Sequence, residues 1–287
     1  EAGQAFRITL GPLSREEAMA AVADAEALIV RSATKVNAEF LAAAPVLKVI
    51  ARAGAGVDNV DLAAASARGI VVMNTPGGNT IAAAEHTFAL MLAMARHIPA
   101  AVRSLQEGRW DRKLFMGTEL RGKTLGIIGL GRIGQAVARR AQAFEMTTIA
   151  YDPQKSPETF ERLQTPSVTL NELYARSDYV SLHAPANDET YHMINAESIA
   201  RMKDGVRIVN TARGSLVDSA ALAAAIKSGK VAGAAVDVYP AEPPPPDDPL
   251  IGLDGVVHTP HLGASTWEAQ ITVAVQAAEQ VRDALLK

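Results

Sequence analysis

Residues 124–134 read Thr-Leu-Gly-Ile-Ile-Gly-Leu-Gly-Arg-Ile-Gly, a short apolar run that passes directly into glycines spaced G-x-G-x-x-G. Few folds accommodate that. Thr124–Ile128 has the length and composition of a buried strand, and Ile133, Val137 and Ala141 follow at helical spacing. A strand that turns through three glycines into a helix predicts the first βα unit of a doubly wound sheet. Among 21 glycines the spacing alone is weak, and its setting supplies the specificity. A second strand, Thr148–Tyr151, ends on Asp152. In such a unit Gly129 permits the tight turn, Gly131 lets the backbone approach a pyrophosphate, and Gly134 lets helix and strand pack closely. Arg132 and Ile133 open the helix, whose first N–H groups attract phosphate. Asp152 is placed to accept hydrogen bonds from the adenosine ribose and to repel a 2′-phosphate. NAD is therefore expected over NADP, a preference that Lys155 softens.

The rest of the chain repeats the alternation of short β-branched runs with Ala-rich helical stretches. Strands are expected at Ala27–Arg31, Val46–Arg52 and Ile70–Met73, and later at Tyr179–Leu182, Arg207–Asn210, Gly233–Asp237 and Gly255–His258. Ser14 with Glu17 forms a capping box that opens a helix of about three turns. Asn37 caps a helix running to about Ala44. A long helix is expected from Thr80 to about Ala101, apolar around most of its circumference through Phe88, Leu90, Met91, Leu92 and Met94. Gln106–Arg121 reads as polar and irregular, the prolines after Glu242 as a rigid connection, and Trp267–Leu286 as one amphipathic helix. The prediction is an α/β chain of two Rossmann-like domains with parallel sheets. Residues 1–75 with 265–287 would form a smaller, flavodoxin-like substrate lobe, and residues 76–264 the NAD lobe, with the active site in the cleft.

Composition removes several alternatives. The apolar stretch Thr87–Ala95 is too short to span a bilayer, and no basic-then-apolar leader precedes the first helix. A net charge of −3 argues against nucleic acid or an acidic membrane as the main partner. The absence of cysteine excludes disulfides, a thiolate nucleophile and Cys-based metal sites, and fits a reducing cytoplasm. No metal site is expected.

Ligands of open α/β sheets sit beyond the C-terminal strand ends. Two histidines stand there, His183 and His261, together with Arg213, Asp237 and Glu242. An arginine can hold a carboxylate and polarise the adjacent carbonyl. A histidine can exchange the hydroxyl proton, and a carboxylate behind it fixes its tautomer. Position alone does not choose between the two histidines.

The chain resembles the D-isomer-specific 2-hydroxyacid dehydrogenases over essentially its whole length. The matching segments are Gly129–Gly134, Asn210-Thr211-Ala212-Arg213-Gly214, Asp237-Val238-Tyr239-Pro240-Ala241-Glu242-Pro243 and Thr259-Pro260-His261-Leu262-Gly263. The resemblance implies Arg213 as substrate-orienting arginine, His261 as acid/base and Glu242 as the carboxylate behind it. His183, Ala184, Pro185, Thr211, Ala212, Asp237 and Gly263 would then lie along the cofactor. Within the family the likeness is greatest to members that act on 3-phosphoglycerate in the first step toward serine. It is carried by 29–36, 52–61, 73–79 and 115–120. A phosphorylated substrate needs cationic partners, and Arg31 and Arg52 stand at the ends of two adjacent N-terminal strands where they could face the cleft. Backbone N–H groups of Ala53 and Gly54 are candidates for the substrate carboxylate, with Asn79 beside them, and the resemblance adds Arg112 and Lys113 from a neighbouring subunit. A homodimer through the NAD lobe is expected from the all-round apolar helix after Thr80.

Family members usually begin with a strand and helix that have no counterpart here, so Ala5–Leu10 should match their second strand. Many also carry C-terminal domains that bind serine, and none is expected in this chain. The near rival is a hydroxypyruvate or glyoxylate reductase using the same triad. A more distant one is an NAD-sensing corepressor built on the same fold.

Overall fold

The protein is described here by a computed structural model, which covers residues 6–286. The chain divides into two compact units, one comprising residues up to Thr80 with those from Ala264 onward, the other Ile81–Gly263.

In the first unit β1 (Ala27–Val30), β2 (Val49–Arg52) and β3 (Val71–Asn74) form a parallel sheet in that order. The Ser14–Glu17 capping box opens α1 (Arg15–Ala21), which is two turns long rather than three. Asn37 accepts from the Phe40 N–H at the start of α2 (Ala38–Ala42), and Asp61 caps α3 (Leu62–Ala67) in the same way. Val22, Val30, Phe40, Leu41, Ile50 and Ile70 make the core between these elements. The C-terminal helix, Trp267–Leu286, packs on the sheet through Val273 and Ala277 against Ala51 and Ala53. The strand expected at Ala5–Leu10 is not found among residues 6–10, and Ala5 lies outside the described residues. Ile8 and Leu10 are exposed, so this stretch has no apolar face on which a strand could settle.

The second unit begins with α4, which runs from the unit boundary at Thr80 to Ala95, followed by α5 (Ile98–Gln106). The single helix expected to Ala101 is therefore broken. Pro99 has no N–H to give the Ala95 carbonyl, and its ring would crowd that oxygen. His97 turns into the left-handed region at φ 53°, and Ala95 O instead accepts the Thr118 N–H at 2.9 Å. A single 3-10 turn, Arg112–Phe115, interrupts the irregular segment that follows.

Six parallel strands come next: β4 (Thr124–Ile128), β5 (Thr147–Tyr151), β6 (Tyr179–Leu182), β7 (Val206–Asn210), β8 (Val231–Val236) and β9 (Val256–His258). Their order in the sheet is β5-β4-β6-β7-β8-β9. The central strands are nearly unbroken apolar runs because helices cover both faces. All four residues of β6 are buried. The chain goes from β4 to β5 on one side and then crosses to β6 on the other, so the topological switch point lies between β4 and β6. The crossover helices are α6 (Arg132–Ala143), α7 (Pro157–Arg162) with α8 (Leu170–Arg176), α9 (Ala196–Ala200) and α10 (Ser219–Lys227). α4 gives Phe88, Leu90, Met91 and Met94 to the same core as Leu125, Ile127, Leu130 and Val137. Its apolar circumference is thus consumed within its own unit. Truncating fully buried Met91 to Ala would cost about 2–5 kcal/mol.

Candidate active site

At the switch point Gly129 sits at φ +91°, and a methyl there would lie 2.6 Å from the His183 carbonyl carbon at the end of β6. Only glycine meets both conditions. Gly134 brings α6 onto the same turn, since its added methyl would lie 2.1 Å from Gly129 O. Gly131 differs: it is the N-cap of α6, its φ is −69°, and an added methyl would meet nothing within 4 Å. That open space stands at the positive end of a twelve-residue helix whose first N–H groups have no intrahelical acceptor. Asp152, at the end of β5, accepts the Leu130 N–H on Oδ2 at 2.8 Å and the Gln154 N–H on Oδ1 at 2.9 Å. An open pocket lined by Tyr151, Asp152, Ser167, Val168, Thr169 and Glu172 adjoins it. Arg132 and Ile133 form the first turn of α6, Ala184 is buried after β6, and Pro185 is exposed beside it. The room at Gly131, the helix end and the carboxylate fit a dinucleotide.

The other strand ends carry the polar groups. After β7, Asn210 organises the loop by accepting the Ala212 N–H on Oδ1 at 3.1 Å and donating from Nδ2 to Arg213 O at 2.8 Å. Arg213 Nη1 donates to Ala212 O at 2.6 Å. Gly214 then packs on the backbone after β8, where an added methyl would lie 1.9 Å from the Tyr239 carbonyl carbon. The Arg213 loop and the Glu242 segment are in this way held in direct contact. Glu242 Oε1 accepts the Tyr239 N–H at 3.2 Å, and Glu242 Oε2 stands 2.7 Å from His261 Nδ1.

His261 itself lies in the left-handed region at φ 55°, a conformation an ordinary side chain holds only under constraint. Asp237 supplies that constraint. Its fully buried carboxylate accepts the Leu262 N–H at 2.7 Å and the Gly263 N–H at 2.8 Å, directly after the histidine. Thr259 Oγ1 donates to it at 2.5 Å, and His86 Nε2 lies 3.1 Å from Asp237 Oδ1. Burial pushes the Asp237 carboxyl up, but hydrogen bonds from His86, Thr259 and the Leu262 N–H outweigh it and hold the group below its ordinary range. Tyr239 braces the loop from the other side, its hydroxyl donating to Thr259 O at 3.1 Å. Burial, with Asp237 nearby, pushes that phenol up to about 12.

The two histidines left open by sequence position differ here. His183 has Ser181 Oγ 2.9 Å from its Nε2 and, among the described residues, no carboxylate partner, and enclosure pushes it down to about 4. His261 has Glu242. Among the described residues no group of three His, Asp or Glu side chains could hold a metal ion, and no helix is long and apolar enough to cross a membrane.

In the first unit, Arg31 is exposed after β1 and Arg52 ends β2. The Arg52 guanidinium lies over Gly54, which takes φ +147°, and Nη1 donates to Ala53 O at 3.3 Å. The Ala53 N–H is taken by Val30 O at 2.9 Å and the Gly54 N–H by Thr75 Oγ1 at 2.7 Å. Neither of those two amides is left for a substrate carboxylate in this arrangement. Asn79 Oδ1 is buried and has no hydrogen-bond partner among the described residues. Arg112 and Lys113 are exposed in the 3-10 turn of the second unit.

Sequence reading missed His86, Thr87 and Thr259 as parts of the site. The available signal was polarity in the wrong place: Glu85-His86-Thr87 interrupts a helix that is otherwise apolar all round.

Residues 88–263 match the family model described as D-isomer specific 2-hydroxyacid dehydrogenase, NAD binding domain. The D-3-phosphoglycerate dehydrogenase of Archaeoglobus fulgidus is 56% identical over 269 residues, covering 94% of this chain and 51% of that protein. The chain spans about half the length of the curated relatives it matches. Among solved structures, the TT0316 protein from Thermus thermophilus is 41% identical with a TM-score of 0.85, covering 93% of this chain and 85% of that one. The D-lactate dehydrogenase from Aquifex aeolicus, complexed with NAD and lactic acid, is 31% identical with a TM-score of 0.84, covering 99% and 90%. The chain belongs to the D-isomer specific 2-hydroxyacid dehydrogenase family, and its second unit holds the NAD-binding domain of that family.

Proposed function

We propose that the chain catalyses the NAD-linked interconversion of 3-phosphoglycerate and 3-phosphohydroxypyruvate. The observation that carries the reaction is the 2.7 Å pair of His261 and Glu242, held against the Arg213 loop at the C-terminal edge of an NAD-binding sheet. A carboxylate accepts only, so His261 Nδ1 carries the proton and Nε2 is the free base. Nε2 takes the substrate hydroxyl proton as the carbon gives up hydride, and returns it in the reverse direction. Bound NAD supplies the hydride acceptor, held by Gly129–Gly134, Asp152 and the 183–185 and 211–212 loops. Arg213 grips the substrate carboxylate through its planar fork and draws charge from the reacting carbonyl. His183, whose Nε2 meets Ser181 Oγ rather than a carboxylate, is not given the acid/base role.

The choice of a phosphorylated substrate rests on likeness to relatives named for it and on Arg31 and Arg52 at the C-terminal ends of β1 and β2. A buried phosphate needs such partners. The Asn79 Oδ1, orphaned inside the protein, suits a substrate or water donor. A homodimer through the NAD-binding unit belongs to the same proposal. Support comes from α5 and the segment after it, where Ile98, Val102, Leu105, Trp110, Leu114 and Met116 are 48–82% exposed. A partner there would bring Arg112 and Lys113 with it. Cytoplasmic residence is part of the proposal and is tested by cell fractionation.

The deciding experiment is NADH oxidation by the purified chain with 3-phosphohydroxypyruvate, hydroxypyruvate, pyruvate and glyoxylate in parallel. Preference for the phosphorylated keto acid supports the whole reading. Turnover of only the others keeps the reaction and removes the phosphate. Tight NADH binding with no turnover of any would replace the enzyme by a nucleotide-sensing protein.

A further inference from the structure

His86 and Thr87 are consecutive residues of α4, yet each is bonded to a different loop of the site. Thr87, fully buried, donates to Ala83 O at 2.8 Å, so the Thr211 hydroxyl 2.8 Å away donates to Thr87 Oγ1. Thr211 opens the loop that carries Arg213. The His86 Nε2 lies 3.1 Å from both Asp237 Oδ1 and Thr259 Oγ1. Thr259 already donates to Asp237, so the proton between them and the ring belongs to His86. Asp237 in turn holds the two amides that follow His261.

We propose that His86 and Thr87 are positioning residues that fix the spacing between the Arg213 loop and the His261 loop. Neither need touch substrate. Strand-end loops are the least constrained parts of an α/β sheet, whereas neighbouring Cα atoms in a helix are held about 3.8 Å apart. Anchoring both loops to adjacent positions of one helix converts two independent loop motions into one rigid separation. A carboxylate grip and a proton acceptor displaced from each other by about 1 Å can cost 10²-fold in rate. Thr87 and Asp237 are fully buried, so a bond lost at either leaves a buried polar group unsatisfied rather than returned to water. α4 is itself locked by Phe88, Met91 and Met94 in the core of its unit.

The inference rests on the reading above for which loops react, but its test does not depend on turnover. Amide hydrogen exchange of the whole chain is measured for Thr87→Val, which keeps the shape and removes the hydroxyl, and for His86→Ala. Thr87→Val is expected to speed exchange at residues 211–213 by about tenfold and leave 261–263 as they were. His86→Ala is expected to do the reverse. Thr87→Ser and His86→Gln, which restore a hydroxyl and a side-chain N–H, return both patterns. Should His86→Ala fail to fold, His86→Leu fills the ring's place without its donor and gives the same readout. In turnover assays each loss lowers kcat about 10- to 100-fold. Unchanged exchange, or the same change in both loops from either variant, overturns the inference. If the wild-type chain turns over no keto acid, the proposed reaction falls while the exchange pattern still decides this one.

Discussion

His261 Nδ1 lies 2.7 Å from Glu242 Oε2, a pair joined across 19 positions of sequence and both partly open to solvent. The imidazole is therefore oriented by its carboxylate while its Nε2 edge remains available. Replacing His261 with Ala should lower turnover by about 10²–10⁴, with NADH binding retained in a fluorescence titration. Glu242→Gln should cost less, on the order of 10²-fold, because the imidazole survives with its tautomer unfixed. A His261→Ala enzyme with wild-type turnover would hand the proton to another group.

The glycines of the dinucleotide turn should separate into two kinds. Gly131→Ala adds a methyl to open space in a backbone any residue can adopt, so stability should change by no more than about 0.5 kcal/mol. Its NADH affinity should nevertheless fall at least about tenfold, because the methyl occupies the space given to the pyrophosphate. Gly134→Val drives a side chain into Gly129 O and should cost roughly 2–3 kcal/mol of folding stability. Equal melting temperatures for the two variants would contradict this division.

On the proposed reading Asp152 sets cofactor choice. Both of its oxygens are tied to backbone N–H groups of its own unit, which holds the charge in place. Asp152→Asn should narrow the ratio of NADPH to NADH Kd by at least about tenfold, the effect of removing one charge that opposes the 2′-phosphate. An unchanged ratio would place the discrimination elsewhere.

Acid should destabilise the fold in two stages. His183 titrates near 4 in the folded chain against 6.5 ordinarily. Between those values the unfolded chain binds a proton that the folded chain refuses, so stability is full above pH 6.5 and falls as pH drops toward 4. The loss is at most roughly 3 kcal/mol. Asp237, held below its ordinary 3.8, contributes stability that is present above that value and is lost at still lower pH. Urea denaturation at pH 7, 5.5 and 4.5 should show the first stage, and His183→Gln should flatten it. An identical slope in the variant would sink the assignment.

The exposed apolar residues of α5 and the following segment should be covered in solution. Val102→Glu with Leu105→Glu should convert a dimer to a monomer in sedimentation velocity without unfolding either unit. A wild-type chain that sediments as a monomer at micromolar concentration would remove the dimer from the proposal.

Much of this was legible in the residues themselves. Strand β4, the three glycines and Asp152 are local features, because a run of apolar residues, a turn and a helix start each depend on neighbours in sequence. The Ser14–Glu17 capping box and the Asn37 cap were readable for the same reason. Helix length was less so: α4 ends where Pro99 withdraws a donor, a local cause that the apolar pattern across it concealed. The exposure of Ile8 and Leu10 had no local sign at all, since a strand forms only where another edge and a core accept it. The resemblance implied Glu242 behind His261, whereas strand-end position left the two histidines open; that Asp237 grips the amides after His261 while His86 grips Asp237 was decided by tertiary structure alone. Those contacts join residues 19, 25 and 151 positions apart, and no pattern of neighbours encodes which strand ends a fold will bring together. Sequence by itself determined the elements and the kinds of chemistry available at their ends. The packing of α4 against the sheet decided how those ends are held to one another.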